Sequence, residues 1–74
     1  MPKVYEHLGL SFHIYLLDHP QPHVHVKYGE YDLQIEIESG KINGYLPPKK
    51  RKLAIEILKD KQEFFKAEFN KYSL

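Results

Sequence analysis

The stretch HVHVKYGEYDLQIE, residues 23–36, decides the fold. Val24, Val26 and Tyr28 share one parity before the pair Gly29-Glu30, and Tyr31, Leu33 and Ile35 share it after. Side chains on a strand alternate between faces, so each run reads as a strand with one apolar and one polar side. Glycine followed by an unrestricted residue suits a two-residue type II′ hairpin, whose first central position needs a positive φ. That turn sets the register. It places Tyr28 opposite Tyr31, Lys27 opposite Asp32, Val26 opposite Leu33, His25 opposite Gln34, Val24 opposite Ile35 and His23 opposite Glu36. Apolar then meets apolar on one face, and lysine meets aspartate on the other.

Downstream, a second tight turn at Ser39-Gly40 would pair Ile37 with Ile42 and Glu38 with Lys41 and carry the sheet through KINGYL. Upstream, LSFHIYLL alternates Phe12, Ile14 and Leu16 against His13, Tyr15 and Leu17, a third strand pattern. Four strands are expected, at about 9–17, 23–28, 31–38 and 41–46. Pro47-Pro48 ends the sheet and can open a helix, because proline is tolerated in a first turn where no donor is needed. From 49 to 72 there is no glycine or proline, and Leu53, Ile57, Leu58, Phe64, Phe65, Phe69 and Tyr72 recur at amphipathic spacing. One helix over about 48–72 follows. The expected fold is α+β, a single domain over 1–74: a four-stranded antiparallel meander with a C-terminal helix packed on one sheet face. Phe64 and Phe65 are helical neighbours about 100° apart, so one of them belongs at the rim or in a dimer contact.

The remaining bounds agree with a small domain held by its core alone. The chain has 74 residues and no cysteine, so neither a disulfide nor a thiolate metal site can support it. No run approaches the ~18 apolar residues of a membrane span, and a cytoplasmic location without membrane contact is the expectation. The net charge of +1 is too balanced to point to nucleic acid in bulk. KKRK at 49–52 is a local basic block that gives nucleic acid weak support, and its simpler reading is a solvated first helical turn.

HPQPHVH, residues 19–25, concentrates three histidines and two prolines in seven positions. Strand parity sends His23 and His25 to the same polar face as His13, Lys27, Asp32, Gln34 and Glu36, the face a single covering helix would leave open. Pro20 and Pro22 would stiffen the approach and hold Asp18 and His19 at its edge. Three functional readings compete with plain structural histidines. His19, His23 and His25, completed by Asp18, His13 or Glu36, could ligate a divalent cation such as zinc. His23 and His25 could exchange protons at a phosphodiester, with Lys27 offsetting developing charge, since the imidazole titrates near neutrality. Or the face, with Asp18, His19, His23, His25 and Glu36, binds a partner without chemistry.

The start MPKV, a strand running into Asp18-His19, the segment HPQPHVHV and a final helix containing AIEILKDKQEFFKAEFNKY together resemble the DUF4160 family, small bacterial proteins whose signature reads D-H-x-P-P-H-V-H-V. Asp18, His19, Pro22, His23, Val24, His25 and Val26 match it, and Gln21 stands where the family usually has proline. The resemblance implies a bacterial protein of unknown function. It also implies a neighbouring gene for a second small protein, DUF2442-like, in an arrangement similar to toxin–antitoxin or other paired regulatory modules. The expectation is a regulatory module contacting such a partner, with a homodimer through unpaired strand edges a further option. A small metal- or phosphate-dependent enzyme is the alternative.

Overall fold

The computed structural model describes residues 3–14 and 22–72. Its strands are β1 (Lys3–His7), β2 (Leu10–His13), β3 (His23–Tyr28), β4 (Tyr31–Glu36) and β5 (Ile42–Tyr45). They form one antiparallel meander in the order β1-β2-β3-β4-β5. Helices α1 (Pro48–Asp60) and α2 (Gln62–Tyr72) follow. The class is α+β, and all six cross-strand pairs read from the Gly29-Glu30 turn are present between β3 and β4. Gly29 has φ +59° and Glu30 is not in the positive region, the signature of a turn whose first central residue alone is left-handed.

Among the described residues five strands stand where four were expected. The additional one, β1, hides from a periodicity reading for two reasons. Its hairpin turns at Leu8-Gly9, both with positive φ (+49° and +86°), although leucine pays roughly 1–2 kcal/mol in that region and is no turn signal. In β1 the register also jumps, from Lys3↔His13 to Tyr5↔Phe12, so Val4 is an extra bulged residue that scrambles the alternation. The bulge swings Tyr5 onto the apolar face, its ring 5.7 Å from that of Phe12 and 6.2 Å from that of Phe65.

The hairpin between β4 and β5 is also corrected. Ile35 pairs with Ile42 and Gln34 with Asn43, so the expected pairs Ile37–Ile42 and Glu38–Lys41 do not form, and the strands end at Glu36 and begin at Ile42. Ser39 explains the longer loop. Its hydroxyl donates to Glu36 Oε1 (2.7 Å) and accepts the Lys41 N–H (3.1 Å), while Glu36 N–H donates to the Lys41 carbonyl (2.9 Å) and Gly40 N–H to the Glu36 carbonyl (3.0 Å). A side chain that bonds its own neighbouring backbone offers an alternative to the ladder. Ile37 leaves the strand and turns into the core, 3% exposed.

The expected single helix is two. The backbone departs from helical geometry at Lys61 (φ −114°, ψ 31°), although Lys61 N–H still donates to the Ile57 carbonyl and Phe65 N–H to the Lys61 carbonyl. No proline or glycine causes this break. It accompanies a tether, because Gln62, the first residue of α2, donates from Nε2 to the carbonyl of Ile37 (2.9 Å) and ties the helix to the β4–β5 loop. Of the expected stripe Leu58, Phe65 and Phe69 are buried, joined by Ala54, at steps of four, seven and four over Leu10, Phe12, Ile14, Val24, Val26, Leu33 and Ile35, while Leu53, Ile57 and Tyr72 are partly buried against that core. Phe64 is the rim member of its pair, 41% exposed. The basic block divides. Lys49 and Lys52 are exposed, whereas Lys50 donates from Nζ to the Leu8 carbonyl (2.9 Å) and lies 5.0 Å from the Tyr28 ring centroid, fastening α1 to the first hairpin.

Candidate functional site

The helices cover one face of the sheet, and parity sends a different set of side chains to the other. Two transverse rows run across that second face: Lys3, His13, His25, Gln34 and Asn43 in one, and Glu6, Ser11, Lys27, Asp32 and Tyr45 in the next. The meander therefore gathers, from five strands, groups that are far apart in sequence. His13 and His25 are direct cross-strand partners, as their shared parity required. His13 Nε2 lies 3.1 Å from the Ser11 hydroxyl, and Asp32 Oδ1 lies 3.6 Å from His25 Nδ1, close enough to pair with that ring when it is protonated.

His13 is held below its ordinary pKa of 6.5, first by partial burial and then by the positive charges of Lys27 and Lys3; His25 adds to the depression and Asp32 opposes it. The unfolded chain therefore takes up this proton before the folded one does. Stability rises with pH where the unfolded state binds more protons, so the contribution is intact above about pH 6.5 and drains away as pH falls toward the folded value. The expected result is a melting temperature that declines from pH 7.5 to 5.5, with a shallower slope in His13→Asn. Parallel slopes for the two proteins would remove His13 as the source.

His23 is the main correction. It shares parity with His25 but is fully buried rather than displayed on an open face. Its ring centroid is 5.8 Å from that of Phe69 and 5.2 Å from that of His25. Parity assigns a face but does not say which elements wrap its end: α2 reaches the start of β3, and the Pro22 carbonyl there accepts the Ile37 N–H (2.9 Å). Of the proposed proton-transfer set His23, His25 and Lys27, only the latter two remain partly accessible. Glu36 sits opposite His23 in the register and spends its carboxylate on the Ser39 hydroxyl.

Asp18 and His19, read as the edge of the binding face and as metal candidates, lie outside the described residues, as do Tyr15 and Pro20. Among the described residues no three His, Cys, Asp or Glu side chains converge as a metal site requires. The concavity on the polar face is an open depression lined by Gln34, Glu36, Lys41, Ile42 and Asn43. The sequence reading left Asn43 and Tyr45 unnamed on this face, although parity from Ile42 puts them there in the expected register as well; the longer β4–β5 loop changes only which partner each meets. Ser39, which donates to Glu36 and accepts the Lys41 N–H, is the signal for the longer loop.

A family model described as "Domain of unknown function (DUF4160)" matches residues 9–70. No curated protein and no solved structure matches the chain. Among the described residues, no helix is long and apolar enough to cross a membrane.

Proposed function

The chain belongs to the DUF4160 family, and since that membership carries no activity with it, we propose from the geometry that it is a small bacterial, cytoplasmic regulatory module of the toxin–antitoxin type. Its polar sheet face contacts a protein partner. One observation carries the reading: no described element packs over the rows His13, His25, Gln34, Asn43 and Ser11, Lys27, Asp32, Tyr45, while the opposite face is fully used by the core. A broad, open, mixed-charge surface is suited to another protein's surface, whereas small-molecule sites are concave and largely apolar. The partner of choice is the small DUF2442-like product of a neighbouring gene.

The test is calorimetric titration of that purified product into the wild type, into Asp32→Arg/Gln34→Arg on the polar face, and into Glu56→Arg on the exposed side of α1. We expect at least about a tenfold weakening in the face variant, equivalent to about 1.4 kcal/mol, and no more than about twofold in the helix variant. Equal affinities for all three would overturn the reading. A zinc titration separates the enzyme alternative: micromolar binding by the wild type that vanishes in His25→Ala would replace partner contact with a metal site.

A further inference from the structure

An antiparallel sheet has two edges, and an edge strand offers unpaired backbone groups to any second strand unless something blunts it. The β1 edge of this sheet is blunted twice. Val4 is bulged, and Lys3 Nζ pairs with Glu6 Oε1 at 2.7 Å along the strand. The β5 edge has neither device. Ile42-Asn43-Gly44-Tyr45 carries no charge and every residue in it is exposed, with Ile42 at 40% and Tyr45 at 54%. Tyr31 continues the patch, 39% exposed, its ring 5.4 Å from that of Tyr45.

The ladder on the inner side decides which backbone groups face outward. The β4–β5 hairpin closes with Glu36 N–H on the Lys41 carbonyl, and antiparallel hydrogen-bonded pairs recur at every second residue. Gln34↔Asn43 and Asp32↔Tyr45 are then the bonded pairs, which turns the N–H and C=O of Ile42 and Gly44 to the free edge.

We propose that β5 pairs antiparallel with β5 of a second copy of this chain, about a two-fold axis through Asn43, making one continuous ten-stranded sheet. Only residues with outward backbone groups can form the new bonded pairs, and joining Ile42 to Gly44 of the other copy uses both at once. The remaining pairs of that register are complementary. Asn43 meets its own equivalent, where two carboxamides can exchange hydrogen bonds. Lys41 meets Tyr45, a cation beside an aromatic ring, and that pairing occurs twice because an isologous contact repeats each interaction. On the core side, Ile42 lies over the missing side chain of Gly44. A second copy fits this edge because the strand is self-complementary, with no charge of its own to be matched by a different partner. The contact does not depend on the function proposed above, and it would join two polar faces in one plane. Four-residue strands bury less than a standard interface, so the dimer should be of micromolar strength.

Sedimentation equilibrium from low micromolar to high micromolar protein tests this, together with two substitutions at the exposed Asn43. Asn43→Lys sets two lysines directly opposite each other and should leave a monomer at every concentration, with the melting temperature of the wild type at low concentration, where that too is monomeric. Asn43→Cys should crosslink rapidly under oxidised glutathione. Directly opposed residues in a non-bonded antiparallel pair have Cα atoms about 4.5 Å apart, within disulfide reach, and the chain has no other cysteine to compete. Glu6→Cys, on the blunted edge, should crosslink far more slowly. A wild type that stays monomeric throughout, a dimer indifferent to Asn43→Lys, or equal crosslinking at positions 6 and 43 would each overturn the proposal.

Discussion

Phe65→Ala is expected to lower the free energy of unfolding by about 3–5 kcal/mol, the cost of removing a fully buried aromatic ring and leaving a cavity. Phe65 has no exposed surface and holds the centre of a ring cluster, with centroids 5.2 Å from Phe12 and from Phe64 and 6.2 Å from Tyr5. It is the point at which α2 closes on β1 and β2. Stabilities of roughly 0.05–0.15 kcal/mol per residue place the whole domain near 4–11 kcal/mol, so this one ring accounts for a large share of it. Phe64→Ala is the internal control. Its ring is next in sequence and touches Phe65, but it is 41% exposed and should cost no more than about 1.5 kcal/mol. Guanidinium unfolding of both variants reads the difference. A loss below about 1 kcal/mol for Phe65→Ala would mean that α2 does not seal the sheet at this point.

The contrast between these neighbours also marks where sequence reading succeeds. An apolar stripe at amphipathic spacing includes Leu58, Phe65 and Phe69, and the adjacency of Phe64 and Phe65 requires one of them at the rim without saying which; the structure puts Phe64 there. The β3–β4 register is equally legible, because Gly29 fixes the turn and every pair is then counted from it. Legibility ends where backbone geometry departs from the pattern. β1 turns on a left-handed Leu8 and bulges at Val4, and both defeat a search for glycine-based turns and strict alternation. The break at Lys61 has no proline or glycine to announce it. The two-residue shift after β4 accompanies a single serine hydroxyl that takes the Lys41 N–H out of the ladder and holds the Glu36 carboxylate.

The polar face shows the same division. Parity brings His13, His25, Lys27, Asp32 and Gln34 together correctly, since a period of two is a property of any strand. It fails for His23, whose exposure is decided by where α2 ends, a fact of tertiary structure that no local pattern contains. Histidine is also the residue for which this failure is least visible in sequence: its ring packs against Phe69 as readily as it meets water, so composition gives no warning.

Gly44→Ala is expected to cost about 3 kcal/mol or more. Its φ of +114° lies in a region essentially reserved for glycine, where strain alone is of order 1–3 kcal/mol. A Cβ there would also stand 2.5 Å from the Asp32 carbonyl oxygen and 3.2 Å from Leu33 Cα, both backbone atoms of the neighbouring strand β4, so no side chain can swing aside to make room. Gly40→Ala separates the two contributions. Gly40 has φ +78° but nothing within 4 Å of the added carbon, so that variant carries conformational strain alone, about 1–2 kcal/mol. The excess for Gly44→Ala measures how closely β5 lies on β4, and it should be accompanied by faster amide exchange at Asn43 and Tyr45, the residues whose N–H groups the ladder protects. The same close approach orients Leu46 into the core ahead of Pro47-Pro48, so loosening β5 also loosens the entry to α1. If the two alanine variants cost the same, β5 is not docked on the Asp32 carbonyl, and both the outward direction of the Gly44 backbone groups and the edge pairing built on it fall with that contact.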